Sequence, residues 1–143
     1  MIWMLPFLAP LISPAEPFAG HLRRAVKVDL EHNVAIGTGA QNAVLWYQAA
    51  VENDKEKWVD VTGCSKGSVT YRCAFTLFRE GGDVRFEGKM SPATLRCTAL
   101  FKRFTDAEGE EWAKWAVTHA KARPTGGHSR TSMHCWSGGR PPL

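Results

Sequence analysis

The run SVTYRCAFTLF, residues 68–78, alternates apolar and polar side chains almost without a break. Val69, Tyr71, Cys73, Phe75 and Leu77 share one face, and Thr70, Arg72, Ala74 and Thr76 share the other. A period of two places successive side chains on opposite sides of a strand, so the run specifies a β-sheet with one dry and one wet face. Three runs of similar character accompany it: KWVDVTGC, DVRFEGKM and TLRCTALFKRF. Lys66-Gly67, Gly81-Gly82 and Ser91-Pro92 punctuate them, and links this short predict tight hairpins. In the third run Val84, Phe86, Gly88 and Met90 would face inward, with Asp83, Arg85, Glu87 and Lys89 outward.

Helical spacing is confined to the flanks. AQNAVLWYQAAVEN, residues 40–53, places Val44, Leu45, Gln48 and Val51 on one helical stripe. TDAEGEEWAKWAVTHAKARP offers a capping box at Thr105 and Glu108, a stripe of Trp112, Trp115, Ala116 and His119, and a stop at Pro124. Upstream, Val26, Val28 and Leu30 alternate within RRAVKVDLEHNVAI, which reads as a strand. The predicted fold is α+β: a four-stranded antiparallel β-meander flanked by an N-terminal helix and a C-terminal helix packed on one sheet face. Its domain spans residues 21–122, between an apolar leader or arm (1–20) and a flexible basic tail (123–143). A chain of 143 residues is long enough to bury a core of this kind without a metal.

The first twelve residues, MIWMLPFLAPLI, are apolar throughout. They are too few to span a bilayer, which takes about 20, but they suit the apolar region of a secretory signal. Ser13 and Ala15 supply the small residues for a cut after Ala15. Export to a periplasmic or extracellular space is the expectation, and a cytoplasmic protein with an apolar docking arm is the alternative.

Four cysteines, Cys64, Cys73, Cys97 and Cys135, are the candidate disulfide residues of an exported chain. With Lys66-Gly67 as the turn, however, Cys64 faces Val69, and Cys73 lies on the order of 13 Å away along the ladder. A bridge needs Cα atoms within about 7 Å. In that register Cys97 faces Phe86, one strand removed from Cys73. Buried thiols are the simpler reading of these geometries. If the chain is exported, one bridge among the three domain cysteines and one to Cys135 is the least strained arrangement. Zinc would need paired ligands at short spacing, which His119, His128, His134 and Cys135 do not provide, so no metal site is assigned.

For chemistry, VAIGTGAQNAVLW has the outline of a dinucleotide-binding turn, but Asn42 stands where a third small residue belongs, and a plain loop before a helix explains it better. No cofactor is expected. The wet sheet face gathers Arg72, Arg85, Glu87, Lys89, Arg96 and Lys102, a candidate anion or nucleic-acid surface. A cleavage variant of that reading takes Glu87 as general base with Arg85 and Arg96 on the phosphate, although no histidine falls on the face. The bland reading is a solvated face whose charges pair across strands. No catalytic constellation assembles from the sequence. The expectation is therefore a small exported, non-enzymatic binding or accessory protein, a subunit or inhibitor in a larger assembly. Its contact segments would be the arm and the basic tail, which carries Arg123, Arg130 and Arg140, and no acidic residue follows Glu111. Nucleic acid is the lesser partner class, and no membrane span is expected.

Overall fold

A computed structural model describes residues 11–119 and 131–138. Two helices come first, α1 (Phe18–Ile36) and α2 (Gln41–Glu52). Strands β1 (Lys57–Lys66) and β2 (Thr70–Arg79) follow, then the short strands β3 (Val84–Phe86) and β4 (Lys89–Ser91), and then β5 (Thr94–Arg103). A 3₁₀ turn, Glu111–Lys114, leads into β6 (Trp115–Val117), and β7 (His134–Trp136) completes the described chain. The α+β class holds, with both helices ahead of a five-stranded antiparallel sheet. The strand order is β1-β2-β5, with β6 and β7 end to end on the far edge of β5.

Three sequence expectations give way here. Residues 23–36, read as a strand, are helical. The buried positions Leu22, Ala25, Val26, Asp29, Leu30 and Asn33 recur every three or four residues, and the two polar members hide the stripe from a hydrophobic pattern. The third β-type run does not join the sheet. Glu87 and Gly88 both take positive φ (50° and 77°), and the run folds on itself into a two-stranded hairpin, β3–β4, packed against α2. β2 therefore pairs directly with β5, and no four-stranded meander forms. The tryptophan-bearing C-terminal segment is not a helix among the described residues. It makes one 3₁₀ turn and then pairs Trp115–Val117 with Arg103–Phe101 of β5. The capping box at Thr105 and Glu108 opens no helix, since those residues lie in the loop ahead of that turn.

The helices cover the face that alternation makes dry. Val59, Val61 and Cys64 of β1, Cys73, Phe75 and Leu77 of β2, and Leu95, Cys97, Ala99 and Phe101 of β5 pack with Leu22, Val26, Leu30 and Trp46. Burying a side chain of this size contributes about 1.5–3 kcal/mol. Phe18 of α1 meets Tyr71 and Trp115 edge-on or tilted, at centroid distances of 5.1 and 4.9 Å. The GTG link is a helix-to-helix connector. Gly37 closes α1 in the left-handed conformation, and a Cβ on Gly39 would meet the Asn33 side chain at 2.7 Å. The glycines serve the connector, and a helix, α1, leads into it where a dinucleotide turn requires a strand.

The cysteines form two disulfides, Cys64–Cys73 and Cys97–Cys135, each with Cα atoms 4.1 Å apart. The expected register fails for a local reason. The hairpin turns at Ser68-Val69, two residues beyond Lys66-Gly67, so Lys66 pairs with Tyr71 and Cys64 with Cys73. A bulge at Thr62 then shifts the ladder once more, between Val61 and Gly63. Cys135 draws residues 131–138 into the fold: His134, Cys135 and Trp136 pair with Thr98, Cys97 and Arg96, so this part of the predicted tail belongs to the sheet. The other tail residues and the first ten residues of the arm lie outside the described chain. Two bridges are what an oxidising environment permits, and no described helix is long and apolar enough to cross a membrane.

Candidate binding face

The helices leave the opposite side of the sheet to solvent. Its outward positions follow from the ladders. Trp58 stands across from Phe78 and next Thr94; Asp60 across from Thr76, Arg96 and Trp136; Ala74 across from Thr98 and His134; Arg72 across from Leu100; and Thr70 across from Lys102. The middle of this grid is a floor of small side chains, Thr76, Ala74 and Thr98. Aromatic and cationic groups rise around it.

Trp58 and Phe78 form an exposed aromatic pair on the face. Their rings lie 5.3 Å apart at 31°, and 46% and 45% of their surfaces remain exposed. Both side chains project outward because their strands alternate, and the inward neighbours Val59 and Leu77 are buried. At the other end the Lys102 ammonium sits 5.3 Å from the Phe104 ring centroid, a cation–π contact that holds a charge and an aromatic together. Arg72 and Arg96 are exposed between these poles, with Asp60 the acidic side chain of the same grid.

The six charged residues picked from the sequence therefore separate into two groups. Arg72, Arg96 and Lys102 share the outer face. Arg85, Glu87 and Lys89 lie on the β3–β4 hairpin, with Glu87 in its turn. Glu87 and Arg85 are thus not brought beside Arg96, and the cleavage constellation is not assembled. The face also holds a histidine that pattern reading left out. His134 was assigned to a tail, and only the Cys97–Cys135 bridge carries it onto the sheet. Trp58 lies in the run KWVDVTGC, whose facing the sequence reading does not assign, whereas Trp136 arrives by the same route as His134.

Two buried polar centres lie on the other side of the sheet. The Asp29 carboxylate, on α1, accepts from Asn33 Nδ2 at 3.0 Å and Thr131 Oγ1 at 3.4 Å, and it pairs with His119 Nε2. Burial pushes this carboxyl above the ordinary aspartate range, while the bonds from His119, Asn33 and Thr131 pull it back down. The cluster ties α1 to the isolated bridge between His119 and Thr131. His119, expected on a helical packing stripe, reaches Asp29 from the end of β6 instead. Arg79 is the second centre, and its guanidinium is wholly buried. It donates to Trp46 O, Ser91 O, Ser91 Oγ and Gly82 O, which fastens α2 and the β3–β4 hairpin to the sheet. Burial lowers its pKa.

No protein-family model matches the chain, and neither the curated proteins nor the solved structures give a match. Among the described residues no group of three or more His, Cys, Asp or Glu side chains is disposed to hold a metal ion.

Proposed function

We propose that this is a small exported binding module, a subunit or inhibitor of a larger assembly, that takes a protein partner on the outer face of its sheet. The observation that carries this reading is the Trp58–Phe78 pair, half exposed on a disulfide-tied sheet and bordered by Arg96. Tryptophan, phenylalanine and arginine are the side chains that interfaces enrich, and a rigid support spares the ordering cost of association. The excess of cations over Asp60 on the grid favours an acidic partner surface. Two disulfides support a periplasmic or secreted setting.

Photo-crosslinking in the native host tests this reading. A benzophenone amino acid at position 58 or 96 is expected to trap one discrete protein, and the same group at position 51, exposed on α2, is expected to trap none. Equal yields at positions 58 and 51 would sink the assignment of the face.

A second reading rests on the same cations. Arg72, Arg96 and Lys102 beside exposed rings on an antiparallel sheet also suit single-stranded nucleic acid. A tryptophan-fluorescence titration with a thymidine oligonucleotide separates the two. A salt-sensitive quench that disappears in Trp58→Ala would favour the nucleic-acid reading.

A further inference from the structure

Strand β1 lies at the edge of the sheet, and among the described residues the chain's own arm bridges to that edge at Ile12. Ile12 N–H donates to Cys64 O and Cys64 N–H donates to Ile12 O, both at 2.8 Å. Cys64 is free to make these bonds because it faces its disulfide partner Cys73 directly across the ladder, and its own N–H and C=O point away from β2. Beside this bridge the sheet has a notch. Gly63 faces outward opposite Ala74, and a Cβ built on it would lie 2.9 Å from the Leu11 Cβ. The three atoms closest to that position all belong to Leu11, so glycine is what lets a bulky aliphatic side chain lie flat against the strand.

Leu11 and Ile12 gain little burial from being there. They remain 60% and 68% exposed, and no other residue of the arm is bridged to β1 among those described. Between the bridge and α1 the chain reads Ser-Pro-Ala-Glu-Pro, and the small-residue cut expected after Ala15 would remove Leu11 and Ile12 together.

We infer that the Gly63–Cys64 edge of β1 is a strand-acceptor site, that Leu11-Ile12 is its placeholder, and that its occupant after the arm leaves is an extended segment of a partner protein. The seated arm defines the chemistry. The incoming segment adds antiparallel to β1, places a bulky aliphatic residue over Gly63, and follows it with a residue whose N–H is free, which excludes proline there. Edge strands invite such additions: main-chain bonds give the grip and a side-chain notch gives the selection. While the arm is attached it acts at high effective concentration and keeps other strands off.

The test uses the full chain with Ile12→Pro, which removes the bridging N–H, and a synthetic peptide of residues 7–15 added in trans. By NMR the peptide is expected to shift signals at Gly63 and Cys64 and to slow exchange of the Cys64 amide about tenfold, with a Kd on the order of 1 mM for so small a contact. Adding Gly63→Ala to the same chain fills the notch without touching the core and is expected to abolish those effects. A peptide that leaves Cys64 unchanged, or that binds the Gly63→Ala chain equally well, overturns the proposal. So does an unmodified chain that sediments as a dimer by exchanging arms, because the occupant would then be a second copy. These outcomes are read at Gly63 and Cys64, whereas the outer-face reading is tested separately by the crosslinks at positions 58 and 96.

Discussion

The Arg79 guanidinium donates to the Trp46 carbonyl at 3.2 Å, so a wholly buried cation of β2 holds the middle of α2 in place. Its remaining bonds go to Ser91 and Gly82 rather than to a carboxylate, so the group fastens three main-chain carbonyls and the Ser91 hydroxyl. Arg79→Met keeps much of the volume and removes every donor, leaving carbonyl oxygens buried and unpaired. Loss of about 2–4 kcal/mol is expected in urea unfolding. Hydrogen exchange should show the β3–β4 hairpin opening ahead of the sheet.

The two disulfides differ in the length of chain they close, nine residues for Cys64–Cys73 and 38 for Cys97–Cys135. Chain-entropy reasoning gives about 2.5 kcal/mol for the shorter loop and about 4 kcal/mol for the longer. Paired Cys→Ala variants, compared by denaturant midpoint, are expected to rank in that order. The Cys97/Cys135 variant alone should also release His134–Trp136 from β5.

Glu111 is held by Arg103 through two bonds of 2.6 and 2.8 Å, which keep its carboxyl down at about 2. A carboxyl with a lowered folded-state pKa favours the fold above its unfolded value and loses that contribution as pH falls toward the folded one. Carbon-detected NMR should therefore find Glu111 still ionised near pH 3. Arg103→Gln is expected to return its midpoint to the ordinary carboxylate range.

Tyr47 lies under the opposite sign. Burial, with help from the Glu31 carboxylate that accepts its hydroxyl at 3.0 Å, raises its phenol to about 12. A raised folded-state pKa contributes stability that is fully present below the unfolded value of about 10. That contribution is lost as pH rises to the folded value. Ultraviolet titration should show one tyrosine ionising late, and Glu31→Gln should bring that transition to lower pH.

Much of this fold was legible where the pattern was local. α2 was expected at residues 40–53 and occupies Gln41–Glu52, but it buries Ala43, Trp46, Ala49 and Ala50 rather than the expected stripe of Val44, Leu45, Gln48 and Val51. β1, β2 and β5 were all read as strands, and the dry and wet sides of β2 at positions 73–77 are as alternation demands. What escaped depended on residues that break a simple rule. Asp29 and Asn33 sit on the buried stripe of α1, where a hydrophobic count scores them against a helix. Neither Ser68 nor Val69 takes positive φ, so the hairpin turn lacks the glycine signature that drew attention to Gly67. Of the binding face, Arg72, Phe78, Arg96 and Lys102 could be read along their strands. His134 and Trp136 reach it only through a bridge to Cys97, a long-range pairing that spacing does not determine.

The Cys97–Cys135 bond has a further consequence for how the chain responds to damage. β6 and β7 occupy the same edge of β5, and residues 98–134 lie between the two bonded cysteines along the chain. A single peptide bond hydrolysed anywhere in that interval leaves one covalent molecule. On a denaturing gel such nicked protein would migrate as a single species until a thiol reagent was added, and only then split in two.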